Sequence, residues 1–168
     1  YAMPIDRAGR TAALLLLVCG AGMILCGMLS DRLARDTPDR KIWLAIFYSL
    51  GTASCLTLAF QLAPGIGQLT FLAIAMFLVA GTTGPAGAMV ANLTPSVIHG
   101  SAFATLTLAN NLIGLAPGPI LTGRIADSIG LLGAFQLLPI ASLCAALAFA
   151  TMRKTYRADL AGNAAQEG

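Results

Sequence analysis

The chain has 168 residues, of which 57% are hydrophobic and only 10% charged, with a net charge of +3. Soluble domains carry roughly 25% charged residues, and no Lys, Arg, Asp or Glu occurs between Lys41 and Arg124, so a water-soluble fold is excluded. The basic residues cluster at the ends of apolar runs, which removes the electrostatic case for a nucleic-acid partner and leaves the lipid bilayer as the surrounding medium.

A membrane helix needs about 20 apolar residues to cross about 30 Å of hydrocarbon. Five such spans can be drawn, which predicts an all-α integral membrane protein. The first covers residues 11–29 and stops at the charged stretch from Asp31 to Lys41. The second covers 42–62, with Trp43 and Tyr48 near its start. Pro64, Gly65 and Gly67 then break the chain. The third covers 68–91 and leads into a polar connection over 92–100 that holds Pro95 and His99. The fourth covers 101–122, and a short loop is expected over 124–130. The fifth covers 131–152. The transmembrane bundle is thus assigned to 1–152, and 153–168 to a polar cytoplasmic tail expected to be disordered.

Orientation follows from the basic residues. Arg32, Arg35, Arg40, Lys41, Arg153, Lys154 and Arg157 fall on one side, and Arg7, Arg10 and Arg124 on the other. The positive-inside rule then places the C-terminus in the cytoplasm and the N-terminus outside.

The four cysteines lie in apolar segments without metal-ligand spacing and read as packing residues. No Ser-His, His-Asp or paired-carboxylate arrangement lies within the spans, and no phosphate-binding Gly-Lys-Ser/Thr loop is present. The sequence therefore points away from an enzyme and requires no cofactor or metal. His99 is expected to be an exposed loop residue. No span carries an acid, so this chain offers no buried carboxylate for proton coupling.

Two helix ends share a pattern. The first span ends Gly27-Met28-Leu29-Ser30-Asp31 and the fourth ends Gly123-Arg124-Ile125-Ala126-Asp127. Three spans separate the copies, which puts them on opposite faces of the membrane. That is the signature of inverted three-helix repeats, a device of secondary transporters.

The stretch Gly27-Met28-Leu29-Ser30-Asp31-Arg32-Leu33-Ala34-Arg35 resembles the loop signature of the major facilitator superfamily, with Ala34 where that signature prefers Gly. Gly84-Pro85-Ala86-Gly87-Ala88 is similar to the superfamily's tenth helix. Asn110 to Gly123 is similar to its eleventh, and the spacing Asn-Leu-Ile-Gly-x-x-x-Gly-Pro-x-x-x-Gly is closest to a bacterial Spinster-like branch. His99-Gly100 departs from that branch, which usually carries an Arg. The resemblance implies helices eight to twelve of a twelve-helix transporter. They would form most of one six-helix bundle, working with a missing N-terminal half on a small-molecule solute in a bacterial plasma membrane.

Candidate site residues follow from cost, because polar groups inside spans are expensive unless they face protein or water. Gln68, Thr82, Thr83, Asn110 and Asn111 are the expected substrate path. Thr82 and Thr83 have an alternative use in bonding to their own helix carbonyls. Gly27, Asp31, Arg32 and Arg35 are the expected conformational latch, with Asp31 suited to backbone N–H groups at a helix start. Gly84, Pro85, Gly87, Gly114, Pro117, Gly118 and Pro119 are assigned to helix packing and gating. On the fourth span Ala104, Thr107, Asn111, Gly114, Gly118 and Thr122 recur as one small or polar stripe. The leading expectation is part of a secondary active transporter working by alternating access. A non-transporting membrane scaffold or assembly subunit is the alternative from another class.

Overall fold

The computed structural model describes residues 4–33 and 39–166. These residues are almost entirely helical, and no strand occurs among them. Helix α1 spans Ile5–Leu33, α2 spans Asp39–Gln61, α3 spans Ile66–Gly81 and α4 spans Thr83–Leu93. A 3₁₀ turn at Ser96–Ile98 leads into α5, His99–Ala109, then a π-helical turn, Asn110–Leu115. Helix α6 spans Pro117–Gln136 and α7 spans Leu138–Gln166.

Among the described residues, three stretches are long and apolar enough to cross a bilayer: Asp6–Leu33, Arg40–Gln61 and the combined α3–α4 unit, Ile66–Leu93. They overlap the stretches 11–29, 42–62 and 68–91 drawn from the sequence. The last two appear as one helical pair, Ser96–Gln136 and Leu138–Arg153, bent by 56°. Glycine and proline explain the breaks. Gly130 sits at φ 83 inside α6, a left-handed conformation that costs glycine little. It divides α6, so the loop expected over 124–130 is helix up to that residue. Pro139 follows the second break, between α6 and α7.

Helix α2 is central, packed against α3 on one side and α7 on the other, and α1 covers the far face of α3. Ile42, Met89 and Tyr156 form a buried cluster bordered by Ile46, Leu93 and Phe149, joining α2, α4 and α7 at one end of the bundle. Phe60 and Phe135 stack at the other, with ring centres 5.7 Å apart. Helix α7 runs past the predicted boundary at Met152 to Gln166. Tyr156 is buried there and accepts a 3.0 Å hydrogen bond from Asn92 Nδ2.

Close helix approach depends on small residues. A Cβ on Gly22 of α1 would fall on the Phe77 carbonyl oxygen, 2.9 Å from Phe77 Cα. A Cβ on Gly81 would lie 2.7 Å from Cys26 Cβ, and one on Gly84 3.2 Å from Gly27 Cα. Gly22, Cys26 and Ser30, each four residues from the next, are all buried. Glycine contacts of this kind let backbones approach where hydrophobic exclusion from water gives no help.

Candidate functional site

The α3–α4 junction is a break built by proline. Pro85 has no N–H to give to the Gly81 carbonyl four residues back. The helix tightens instead, and the Thr82 N–H bonds to the Val79 carbonyl at 3.2 Å. The two threonine hydroxyls finish the turn, Thr82 Oγ1 donating to Val79 O and Thr83 Oγ1 to Ala80 O, each at 2.7 Å. Both hydroxyls are therefore engaged with their own helix. Thr83 is exposed and Pro85 is buried. Gly87 leaves room for Phe103 of α5, whose ring atom would lie 3.5 Å from an added Cβ.

The second break lies in the fourth span. Pro117 and Pro119 remove two donors within three residues, and the preceding turn opens to a π turn, with the Ala116 N–H reaching the Asn111 carbonyl at 2.8 Å. One residue more per hydrogen-bonded ring rotates the rest of the helix by about 100° relative to an unbroken α-helix. The stripe predicted along Ala104, Thr107, Asn111, Gly114, Gly118 and Thr122 is therefore not straight. It is interrupted where Asn111 enters the turn. Asn110, Asn111 and Gly114 are exposed, and a Cβ on Gly114 or Gly118 would meet nothing within 4 Å among the described residues.

Gln68 stands apart from both breaks. It lies in the first turn of α3, buried, and its Oε1 has no hydrogen-bond partner. Among the described residues no hydrogen bond joins any two of Gln68, Thr82, Thr83, Asn110 and Asn111.

The latch residues sit at the other end of α1. Asp31 is in the last turn of α1, where a helix dipole disfavours an anion. Its partner is a cation rather than backbone N–H groups: Lys41 Nζ of α2 lies 3.3 Å from Asp31 Oδ1. Arg40 Nη1 donates to the Leu33 carbonyl at 3.2 Å, so α1 and α2 are tied twice across their connection. Arg32 is exposed, Gly27 faces Gly84, and Arg35 lies outside the described residues.

His99 is part of the fold rather than of a free loop. Its Nε2 lies 2.8 Å from the Thr94 carbonyl and 3.1 Å from that of Ala91. It serves carbonyls that the end of α4 leaves without helical partners. The ring also meets Phe103 edge-on.

Two concavities were not foreseen. One, about 280 Å³, lies between Thr57, Phe60, Gln61 and Gln136, with Gln136 Nε2 donating to the Phe60 carbonyl at 3.4 Å. The other, about 350 Å³, is lined by Leu33, Arg40, Trp43, Leu44 and Phe47. Polar residues at the predicted span ends were a partial signal for the first. Among the described residues no group of His, Cys, Asp or Glu is arranged to hold a metal.

A long apolar helical bundle with two proline-built breaks is a transporter-like architecture, and a family model decides the matter. The model for the Major Facilitator Superfamily matches residues 3–168. The chain belongs to the Major Facilitator Superfamily. Comparisons with curated proteins and with solved structures gave no match. Membership in the Major Facilitator Superfamily, together with the apolar helices, makes this an integral membrane protein of the transporter class.

Proposed function

We propose that the chain forms most of the C-terminal half, helices eight to twelve, of a secondary active transporter that moves a small organic solute by alternating access. The observation that carries this reading is the π turn at Asn110–Leu115, closed by Pro117 and Pro119, with Asn110 and Asn111 exposed on it. π turns concentrate at functional sites because they spoil regular helical bonding. Exposed amides in a membrane-spanning stretch are costly unless water, solute or protein meets them.

In this reading the fourth span and the Thr82–Pro85 break line the path. Asn110 and Asn111 supply its donors and acceptors, and the α3–α4 junction supplies a bend. The buried Gln68 contributes once the bundle shifts. Asp31, with Lys41, latches α1 to α2 on the cytoplasmic side, Arg32 extends that charged surface, and Arg35 belongs to the same latch by its sequence pattern. The paired Gly-x-x-small-Asp ends support inverted three-helix repeats. The spacing from Asn111 to Gly123 supports a bacterial Spinster-like branch and with it a plasma-membrane location, and the excess of basic residues on one side supports an N-terminus outside.

The test is solute uptake by proteoliposomes holding the whole transporter, with a panel of amphipathic and organic solutes. Asn111→Ala is expected to raise the solute concentration needed for half-maximal uptake, with protein content unchanged. Uptake identical to wild type in both Asn111→Ala and Thr83→Ala would remove these residues from the path.

A further inference from the structure

The groove at the start of α2 is not used by the transport reading. Arg40, Trp43, Leu44 and Phe47 recur at intervals that place them on one face of α2. That face is open, with Trp43 53% and Phe47 65% exposed. Leu33 at the end of α1 closes one side and makes the face a groove of about 350 Å³.

An open apolar face on a membrane protein by itself needs only ordinary lipid. Charge makes this one selective. The Arg40 guanidinium has a neutral partner, the Leu33 carbonyl. Asp31, a carboxylate on the same connection among the described side chains, is held by Lys41. A second guanidinium, Arg153 of α7, lies 4.7 Å from the centre of the Trp43 ring, an attraction between cation and aromatic face. Two positive groups thus flank one indole, at the end of a span where Trp and basic residues meet lipid headgroups. A charged guanidinium forms its strongest bonds to phosphate and carboxylate oxygens.

We propose that this groove binds an anionic phospholipid. The headgroup phosphate sits on Arg40, the acyl chains lie along Trp43, Leu44 and Phe47, and Arg153 adds positive charge over the Trp43 ring. A zwitterionic lipid offers the same phosphate but brings its own cation to a site already rich in positive charge.

Trp43 is the only tryptophan in the chain, so the site carries its own reporter. The chain is reconstituted in phosphatidylcholine vesicles containing equal mole fractions of either phosphatidylglycerol or phosphatidylcholine with brominated acyl chains. Bromine quenches an indole only at contact range. Brominated phosphatidylglycerol is expected to occupy the groove about fivefold better, the weight of roughly one basic side chain at an anionic surface. Arg40→Gln removes that preference, Arg40→Lys keeps part of it, and Arg124→Gln at the opposite end of the bundle leaves it intact. An unchanged Trp43 emission maximum shows that each variant holds the indole in place. Arg153→Gln serves as a second variant that leaves the Arg40–Leu33 bond untouched, and it also lowers the preference. Equal quenching by the two lipids in the wild-type chain would overturn the proposal. So would a preference that survives in Arg40→Gln.

Discussion

Gly20 and Gly22 stand two residues apart on α1 and respond to the same substitution with opposite signs. A Cβ added to Gly20 meets nothing within 4 Å, whereas one added to Gly22 lands on the Phe77 backbone. In Gly20→Ala only the helix term operates, and removing a glycine from a helix interior gains roughly 0.5–1 kcal/mol. In Gly22→Ala the same gain is offset by a clash with atoms that cannot rotate away. A built contact at 2.9 Å to Phe77 Cα has to open by close to 1 Å before it reaches the roughly 3.5–4.0 Å at which carbon pairs attract. A gap of about 0.5–1 Å forfeits a quarter to a half of each neighbouring contact along the interface. Overpacking of this kind costs about 1–3 kcal/mol, so, net of the helix gain, Gly22→Ala is left about 1 kcal/mol less stable than wild type, and at most about 2.5 kcal/mol. The assay is reversible unfolding in mixed micelles, followed through the near-UV signal of Trp43 and the tyrosines. Equal stability of the two variants, or a Gly22→Ala protein within about 0.5 kcal/mol of wild type, the range of an ordinary surface change, would refute a backbone contact between α1 and α3.

Tyr156→Phe removes the bond from Asn92 and is expected to cost about 0.6 kcal/mol, the average for a hydrogen bond between membrane helices. Tyr156→Ala also empties a buried site and costs about 3–5 kcal/mol by analogy with other buried aromatics, and the same unfolding assay separates the two. Asp31→Asn breaks an ion pair whose acid is three-quarters exposed, so stability falls by less than about 1 kcal/mol while transport by the whole protein slows. Unaltered uptake kinetics in Asp31→Asn would count against the latch. Pro117→Ala lets the π turn relax toward α-helix, and uptake falls although insertion into the membrane is normal. A circular dichroism spectrum and an uptake rate both equal to wild type would show that the turn does not depend on the proline.

The membrane class was legible because the charge-free stretch from Ile42 to Gly123 leaves no other solution, and the first helix was legible from its own apolar run between Arg10 and Asp31. The breaks were legible in part. Pro85, Pro117 and Pro119 announced themselves, but a proline states only that a donor is missing. It does not say whether the helix tightens, as at Thr82, or widens, as at Asn111. Gly130 carried the true end of the fourth helical run, yet a lone glycine among eighteen gives no sign that its φ is positive. The contact between Gly22 and Phe77 was also hidden, because hydropathy says which residues are apolar and not which helices pass closest. Asp31 was singled out from its loop motif, but its partner depends on how α1 and α2 meet, a tertiary fact. Tyr156 was hidden behind the polar residues around it, which make the end of α7 read as tail.

The Gly22 contact also fixes how α1 and α3 can travel. Sliding one past the other by a full helical turn, about 5.4 Å, would bring Val18 or Cys26 to the place where Phe77 tolerates only a hydrogen atom. Either side chain blocks the move, so the pair has no second axial setting of the kind that ratcheting helices use. Any large displacement must carry α1 and α3 as a single block. The fourth span, with its open glycines and loosened turn, is then the element left free to move against it.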